Sequence, residues 1–312
     1  MKSDNTNPFD FARELDFQQI LTNPILDIAA RFWEDDRYEA FKICYRSMRV
    51  VDDLIDDRKA TGDEISAHEK TQYAALVNDW VEAIHATTAQ EQLQRLLIET
   101  IVRFNIPRWP WQRLARSMVY DLHHDGFASY RVFLRYAKGA AVAPASIFMH
   151  LCGISSTSDG YRPPEFNVRK ASRPLALFSY LVHIIRDFEK DQKSNLSYFA
   201  DNLLAAHGLN RAIMRQVADG GDIPAGFRAL MHQYRDFAAY YRGRARLMID
   251  SVFPVLQPRY RLSLEIIYSL YSQIFERIDP DKGRFTTVEL NPSPEEIQKR
   301  INATIAAFRS NI

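Results

Sequence analysis

Within residues 45–57, YRSMRVVDDLIDD, Asp52 and Asp56 stand four positions apart, so on a helix they share one face with Arg49 and Tyr45 ranged behind them. Like charges at that spacing repel, and helix stability alone does not account for the pair. A hard divalent cation does, because Mg²⁺ (or Mn²⁺) takes carboxylate oxygens and keeps waters and phosphate oxygens as its other ligands. A solvated helix end is the competing reading, and one acidic motif does not decide between them.

A second segment repeats the chemistry. In LVHIIRDFEKD, residues 181–191, His183, Asp187 and Asp191 form another ladder of four-residue steps, here inside an apolar helix of Leu, Val, Ile and Phe. Ionised side chains on a largely buried helix need partners. Two such helices face to face would hold metal ions between Asp52, Asp56, Asp187 and Asp191, with Arg49, Arg186, Lys190 and Lys193 available to neutralise a diphosphate. A neutral imidazole at His183 can ligate a metal, donate to diphosphate or hydrogen-bond a carboxylate, and these three roles stay open. Trp109-Pro110-Trp111 reads as a helix start, and the adjacent His123 and His124 point about 100° apart, which argues against a shared zinc ion.

The elements that must position these ladders are helices. Periodicity predicts them at roughly 24–57 (with a joint near Asp35-Asp36), 66–86, 89–104, 110–125, 130–153, 172–192, 195–207, 224–252, 258–278 and 294–309. The prolines and glycine of residues 155–169 predict a surface loop, and DPDKG near 280 a turn without calcium-loop spacing. With 46% hydrophobic residues the 312-residue chain can bury a large core, read as one domain over 1–312. The 11 glycines form no nucleotide-binding pattern, and a net charge of +1 gives no reason to expect a nucleic-acid partner. Cys44 and Cys152 suggest neither a disulfide framework nor zinc; with the polar start MKSDNTNPFDF they predict a cytoplasmic protein.

From about residue 24 to 278 the sequence resembles the squalene/phytoene synthase family, the head-to-head trans-isoprenyl diphosphate synthases. Tyr45, Arg49, Asp52, Asp53 and Asp56 match its first acidic motif, and Arg186, Asp187 and Asp191 its second. Between them Tyr136 begins YAKGAAVAP, where the family carries a tyrosine and a small-residue stretch. His183 stands in place of the usual asparagine, Tyr180 in place of a glutamine, and Asp121 and Asp125 fall near a further acidic position.

The resemblance implies an all-α isoprenoid synthase fold, a single helical bundle around a central cavity. It implies Mg²⁺-dependent 1′–1 condensation of two prenyl diphosphates to a squalene-, presqualene diphosphate- or phytoene-type product. In that reading Tyr136, Arg49 and Arg186 are catalytic, Tyr45, Lys190, Lys193 and Tyr271 help bind substrate, and Asp52, Asp56, His183, Asp187 and Asp191 face metal. Core packing is the competing role for Tyr136 and Tyr271. Substrate length (C15 or C20) and any use of NADPH are not specified by these residues. An apolar product also implies peripheral membrane contact for its release. The rival readings are a class I terpene cyclase acting on one prenyl diphosphate and a non-catalytic assembly factor of the same fold.

Overall fold

The computed structural model describes residues 16–89 and 91–310, which leaves the N-terminal segment read above for targeting outside the described residues. The chain is helical almost throughout: α1 Phe17–Ile20, α2 Ile25–Ala30, α3 Asp35–Ala60, α4 Ala67–Ala86, α5 Gln92–Arg103, α6 Trp109–His123, α7 Tyr130–Ala140 and α8 Val142–Gly153. A small antiparallel hairpin, β1 Ser155–Thr157 and β2 Gly160–Arg162, occupies the expected loop. Then follow α9 Val168–Arg186, α10 Phe188–Lys193, α11 Asp201–Ala206, α12 Arg211–Ala218, α13 Ala225–Val252, α14 Pro258–Arg277, α15 Thr287–Leu290 and α16 Pro294–Ser310.

Local chemistry explains where these helices begin and bend. The first predicted helix is two, α2 and α3, parted just before Asp35. Ser66 and Glu69 close a capping box that starts α4. Asn167 accepts from the Lys170 amide at 2.9 Å and starts α9 four residues earlier than periodicity suggested. The predicted helix 130–153 breaks at Ala141, because Pro144 lacks an amide hydrogen and crowds the carbonyl of Ala140, four residues back. Gly139 lets α7 lie directly on α6, since a Cβ there would collide with the Arg113 carbonyl. Residues 195–200 are not the helix expected, with Asn195 in the left-handed region; α12 and α15 were not anticipated.

Helix α9 is the axis of the molecule, packed against α8, α13 and α14, while α3 lies against α5, α6 and α8. Large rings fill the space between them, among them Phe32, Trp111, Phe133, Phe148, Phe178 and Tyr234. Trp111 donates to Ser47 at 2.9 Å and Trp33 donates to Ser263 at 2.8 Å, so these two indole N–H groups are satisfied within the core. Among the described residues no helix is long and apolar enough to cross a membrane.

Candidate active site

A cavity of about 1050 Å³ runs between α3, α8, α9 and α14. Its lining brings together Tyr45, Arg49, Asp52, Asp53 and Asp56 from α3, Tyr136 from α7, and Tyr180, His183, Arg186, Asp187, Lys190 and Asp191 from α9 and α10. Tyr271 of α14 lines it as well, within electrostatic reach of Arg186 and Tyr45. Lys193 does not line the cavity. Its side chain lies along the outside of α10, 2.7 Å from Glu189, whose other oxygen accepts the Thr287 amide at 3.1 Å.

The first ladder sits on an unbroken helix; the second spans a joint. Asp187 has φ −93° and ψ 11°, between α9 and α10. Backbone hydrogen bonds from Asp187 to His183 (2.9 Å) and from Asp191 to Asp187 (2.8 Å) carry the four-residue register through it. Arg186 clamps Asp187 with two hydrogen bonds of 2.6 and 2.8 Å, and His183 Nε2 lies 2.7 Å from the same carboxylate. On α3, Arg49 bonds Asp52 at 2.6 Å and also Asp53.

These pairings divide the carboxylates sharply. Burial raises Asp187, but the hydrogen bonds from Arg186 and His183 outweigh it and hold this carboxyl well below the usual range. One turn on, Asp191 is pushed up to about 8 by burial, by the Asp187 charge and by Asp56. On the first ladder burial lifts Asp52 to about 6 against the pull of Arg49, and Asp56 to about 7 with Asp52 and Asp121 adding to it. Asp56 and Asp191 line the same cavity, and the charge of Asp56 contributes to the rise of Asp191. His183 lines the cavity, and burial lowers its pKa and leaves a neutral ring that donates to Asp187.

The donors suit a hard cation. They are carboxylate oxygens, which burial raises above the usual range in Asp52, Asp56 and Asp191, and among the described residues no three carboxylate, imidazole or thiol groups close around one point. Asp52, Asp56, Asp187 and Asp191 could each lend an oxygen to Mg²⁺, which keeps waters and takes phosphate oxygens beside one or two carboxylates.

Beneath the ladders lies a group that sequence reasoning left undeveloped. Tyr136 donates to the buried Asp121 of α6 at 2.5 Å, and Lys59 of α3 stands 3.7 Å from the other Asp121 oxygen. Tyr180 and Tyr198 complete a patch of phenols around this carboxylate. Burial raises Tyr136, Tyr180 and Tyr198 far above the usual phenol value, and Asp121 is raised as well. The partners Asp121 and Tyr136 are 15 residues apart on different helices, a pairing no periodicity signals; only the acidic position itself was readable.

A helical shell around a cavity lined by two acidic helices is the isoprenoid synthase class of fold. Residues 28–296 match the squalene/phytoene synthase family model, and the chain belongs to that family. It is 25% identical over 276 residues to phytoene synthase 3, chloroplastic, of Zea mays, covering 86% of this chain and 60% of that protein. The chain thus spans about 60% of that relative's length. Squalene synthase HpnC from Alicyclobacillus acidocaldarius shares its fold with a TM-score of 0.63 at 17% identity, over 86% of this chain and 92% of that one. A dehydrosqualene synthase solved with a ligand does so with a TM-score of 0.69 at 13% identity, over 97% and 100%.

Proposed function

We propose that this protein condenses two prenyl diphosphates head to head, joining them 1′–1 with release of diphosphate, and that it does so with Mg²⁺. The observation that carries the reading is that both acidic ladders line the same cavity. At about 1050 Å³ that cavity reaches the top of the ~300–1,000 Å³ range usual for one small ligand, which supports room for two prenyl chains.

Asp52 and Asp56 would hold metal on one side, Asp187 and Asp191 on the other. Bound Mg²⁺ supplies charge that makes the donor's diphosphate a leaving group. Arg49, Arg186 and Lys190 line the same mouth and supply cations to diphosphate oxygens. Arg49 and Arg186 stand on ladder carboxylates in the free protein, so substrate and metal exchange these pairs for new ones and leave no charge bare. Tyr45 and Tyr271 close the wall beside the two guanidiniums.

The apolar remainder of the lining, including Leu26, Met48, Leu114, Phe148 and Ile267, excludes water from the chains and from the allylic cation. That cation alkylates the acceptor's double bond, and loss of a proton closes a cyclopropane ring. Tyr136 is not a phenolate, because burial holds its proton firmly. It accepts the departing proton on oxygen while passing its own to Asp121 through the 2.5 Å bond, and Lys59 compensates the charge of Asp121 beforehand.

Farnesyl and geranylgeranyl diphosphate are the substrates proposed, and presqualene diphosphate, squalene or phytoene types the products. Incubating the purified protein with each substrate and Mg²⁺, with and without NADPH, tests this. A cyclopropyl or linear C30 or C40 product supports the reading; a cyclised product from one substrate assigns the cavity to a terpene cyclase.

A further inference from the structure

One face of the molecule carries cations that no described residue neutralises. Arg131, Arg135 and Lys138 of α7, Lys170 and Arg173 of α9, and Arg244 of α13 are all exposed. None of them makes a side-chain hydrogen bond or ion pair with a described residue, whereas arginines elsewhere, such as Arg211, Arg246 and Arg300, are paired. Segments 126–158, 166–186 and 237–249 contain no Asp or Glu at all. In a protein of net charge +1, the acids that balance these cations therefore lie elsewhere.

The three helices bring these side chains to one surface. Tyr130 of α7 stacks on Phe237 of α13 with ring centroids 4.1 Å apart, and Leu134 and Tyr241 share a cluster with Ala137, Ala141, Ala176 and Leu177. Arg173 lies one helical turn before Leu177, at the same seam. Tyr240 and Leu247, 62% and 63% exposed, flank Arg244 on one stripe of α13. Large exposed apolar side chains among unpaired cations are the combination that enters a lipid headgroup region.

We infer that this α7–α9–α13 face docks on an anionic lipid surface. The occupant is chosen by charge complementarity together with the apolar Tyr240 and Leu247, which a purely polar polyanion would leave solvated. The position suits an apolar product as well. Ala141, Ala145 and Ala176 line the cavity and belong to the same apolar cluster as Leu134 and Tyr241, so one cluster joins the cavity wall to the α7–α13 seam. That last link rests on the proposed condensation; the docking itself does not.

The test uses the full chain without substrate. Cosedimentation with phosphatidylcholine vesicles containing phosphatidylglycerol should show binding that falls steeply with salt, and vesicles of phosphatidylcholine alone should retain little protein. Each charge removed should lower partitioning about fivefold, so the combined variant Arg135→Glu, Lys138→Glu, Arg173→Glu, Arg244→Glu should lose binding by more than about 100-fold. Lys282→Glu with Lys299→Glu, exposed cations outside this face, should bind as wild type. Tyr240→Ser with Leu247→Ser should weaken binding to the same vesicles severalfold, and helical circular dichroism checks that each variant is folded. Equal binding to neutral vesicles, undiminished binding by the combined variant, or binding to RNA with none to anionic vesicles would overturn the inference. Absence of condensation activity would not touch it.

Discussion

The two acidic ladders have the same spacing and different electrostatics. On α3, Asp52 and Asp56 share the site's burden, one lifted to about 6 and the other to about 7. On α9 and α10 the load is divided unequally. Asp187 is fixed as an anion by Arg186 and His183, while Asp191 has no clamp and rises to about 8. The lesson is that a repeated D-x-x-x-D does not define one kind of site. Asp187 is a pre-oriented anionic donor, and the other three carboxylates keep their protons to higher pH than an ordinary carboxylate, where an arriving cation competes with them.

The largest effects come from removing one carboxylate from each ladder. Asp52→Asn and Asp187→Asn should each lower turnover by more than about 10³-fold, measured as product formed at saturating Mg²⁺. In the free protein, loss of Asp187 and loss of Asp56 should differ in sign. Asp187→Asn strands Arg186 and His183 and should lower the melting temperature. Asp56→Asn removes a buried, repelled carboxylate and should stabilise the metal-free protein at pH 8 by about 1–2 kcal/mol. Destabilisation by both would erase the contrast drawn here.

Next in size is the proton path. Tyr136→Phe should slow product formation by about 10²–10⁴-fold with the fold retained, because the ring stays and only the hydroxyl goes. If Asp121 is the partner that takes the proton, Asp121→Asn should approach the same loss and should not add fully to Tyr136→Phe. Full additivity would separate the two.

The pH dependence sharpens the comparison without chemistry. Asp52, Asp56 and Asp191 lie above the ordinary carboxylate value of ~3.9, so the stability tied to their protonated forms is present below that value and is lost as pH rises through about 6 to 8. Asp187 has the opposite sign; its contribution is present above the ordinary value and is lost only in strong acid. Mg²⁺ relieves the first group, so the rise in melting temperature on adding it should grow between pH 5.5 and 8.5. A constant increment would contradict this.

The smallest effect belongs to His183. His183→Asn keeps a donor for Asp187 and should retain most activity, while His183→Leu should cost about 10-fold in metal affinity, read from activity against Mg²⁺ concentration. A leucine variant indistinguishable from wild type would leave Asp187 held by Arg186 alone.

Much of this was legible before the fold was known, for physical reasons specific to each element. The Asp52–Asp56 face follows from helical spacing, and α3 is straight enough to keep it. The joint at Asp187 was invisible because the backbone bonding, and with it the side-chain period, continues across it. Pro144 did announce the break at Ala141, but an unbroken apolar run concealed it. Lys193 illustrates a limit of motif reading: two residues past Asp191 its helix has turned away, and proximity in sequence does not become proximity in the site. Asp121 needed tertiary structure, since its partner arrives on another helix.

The central claim is that both ladders serve one metal–diphosphate centre, and electron paramagnetic resonance of Mn²⁺ tests it most directly. The protein would be loaded with Mn²⁺ and a prenyl thiodiphosphate, whose carbon–sulfur bond resists ionisation. The account predicts magnetically coupled Mn²⁺ ions in the wild-type protein, with the coupling lost in Asp56→Asn and equally in Asp191→Asn. Uncoupled ions in wild type, or coupling that survives removal of either carboxylate, would contradict a shared centre.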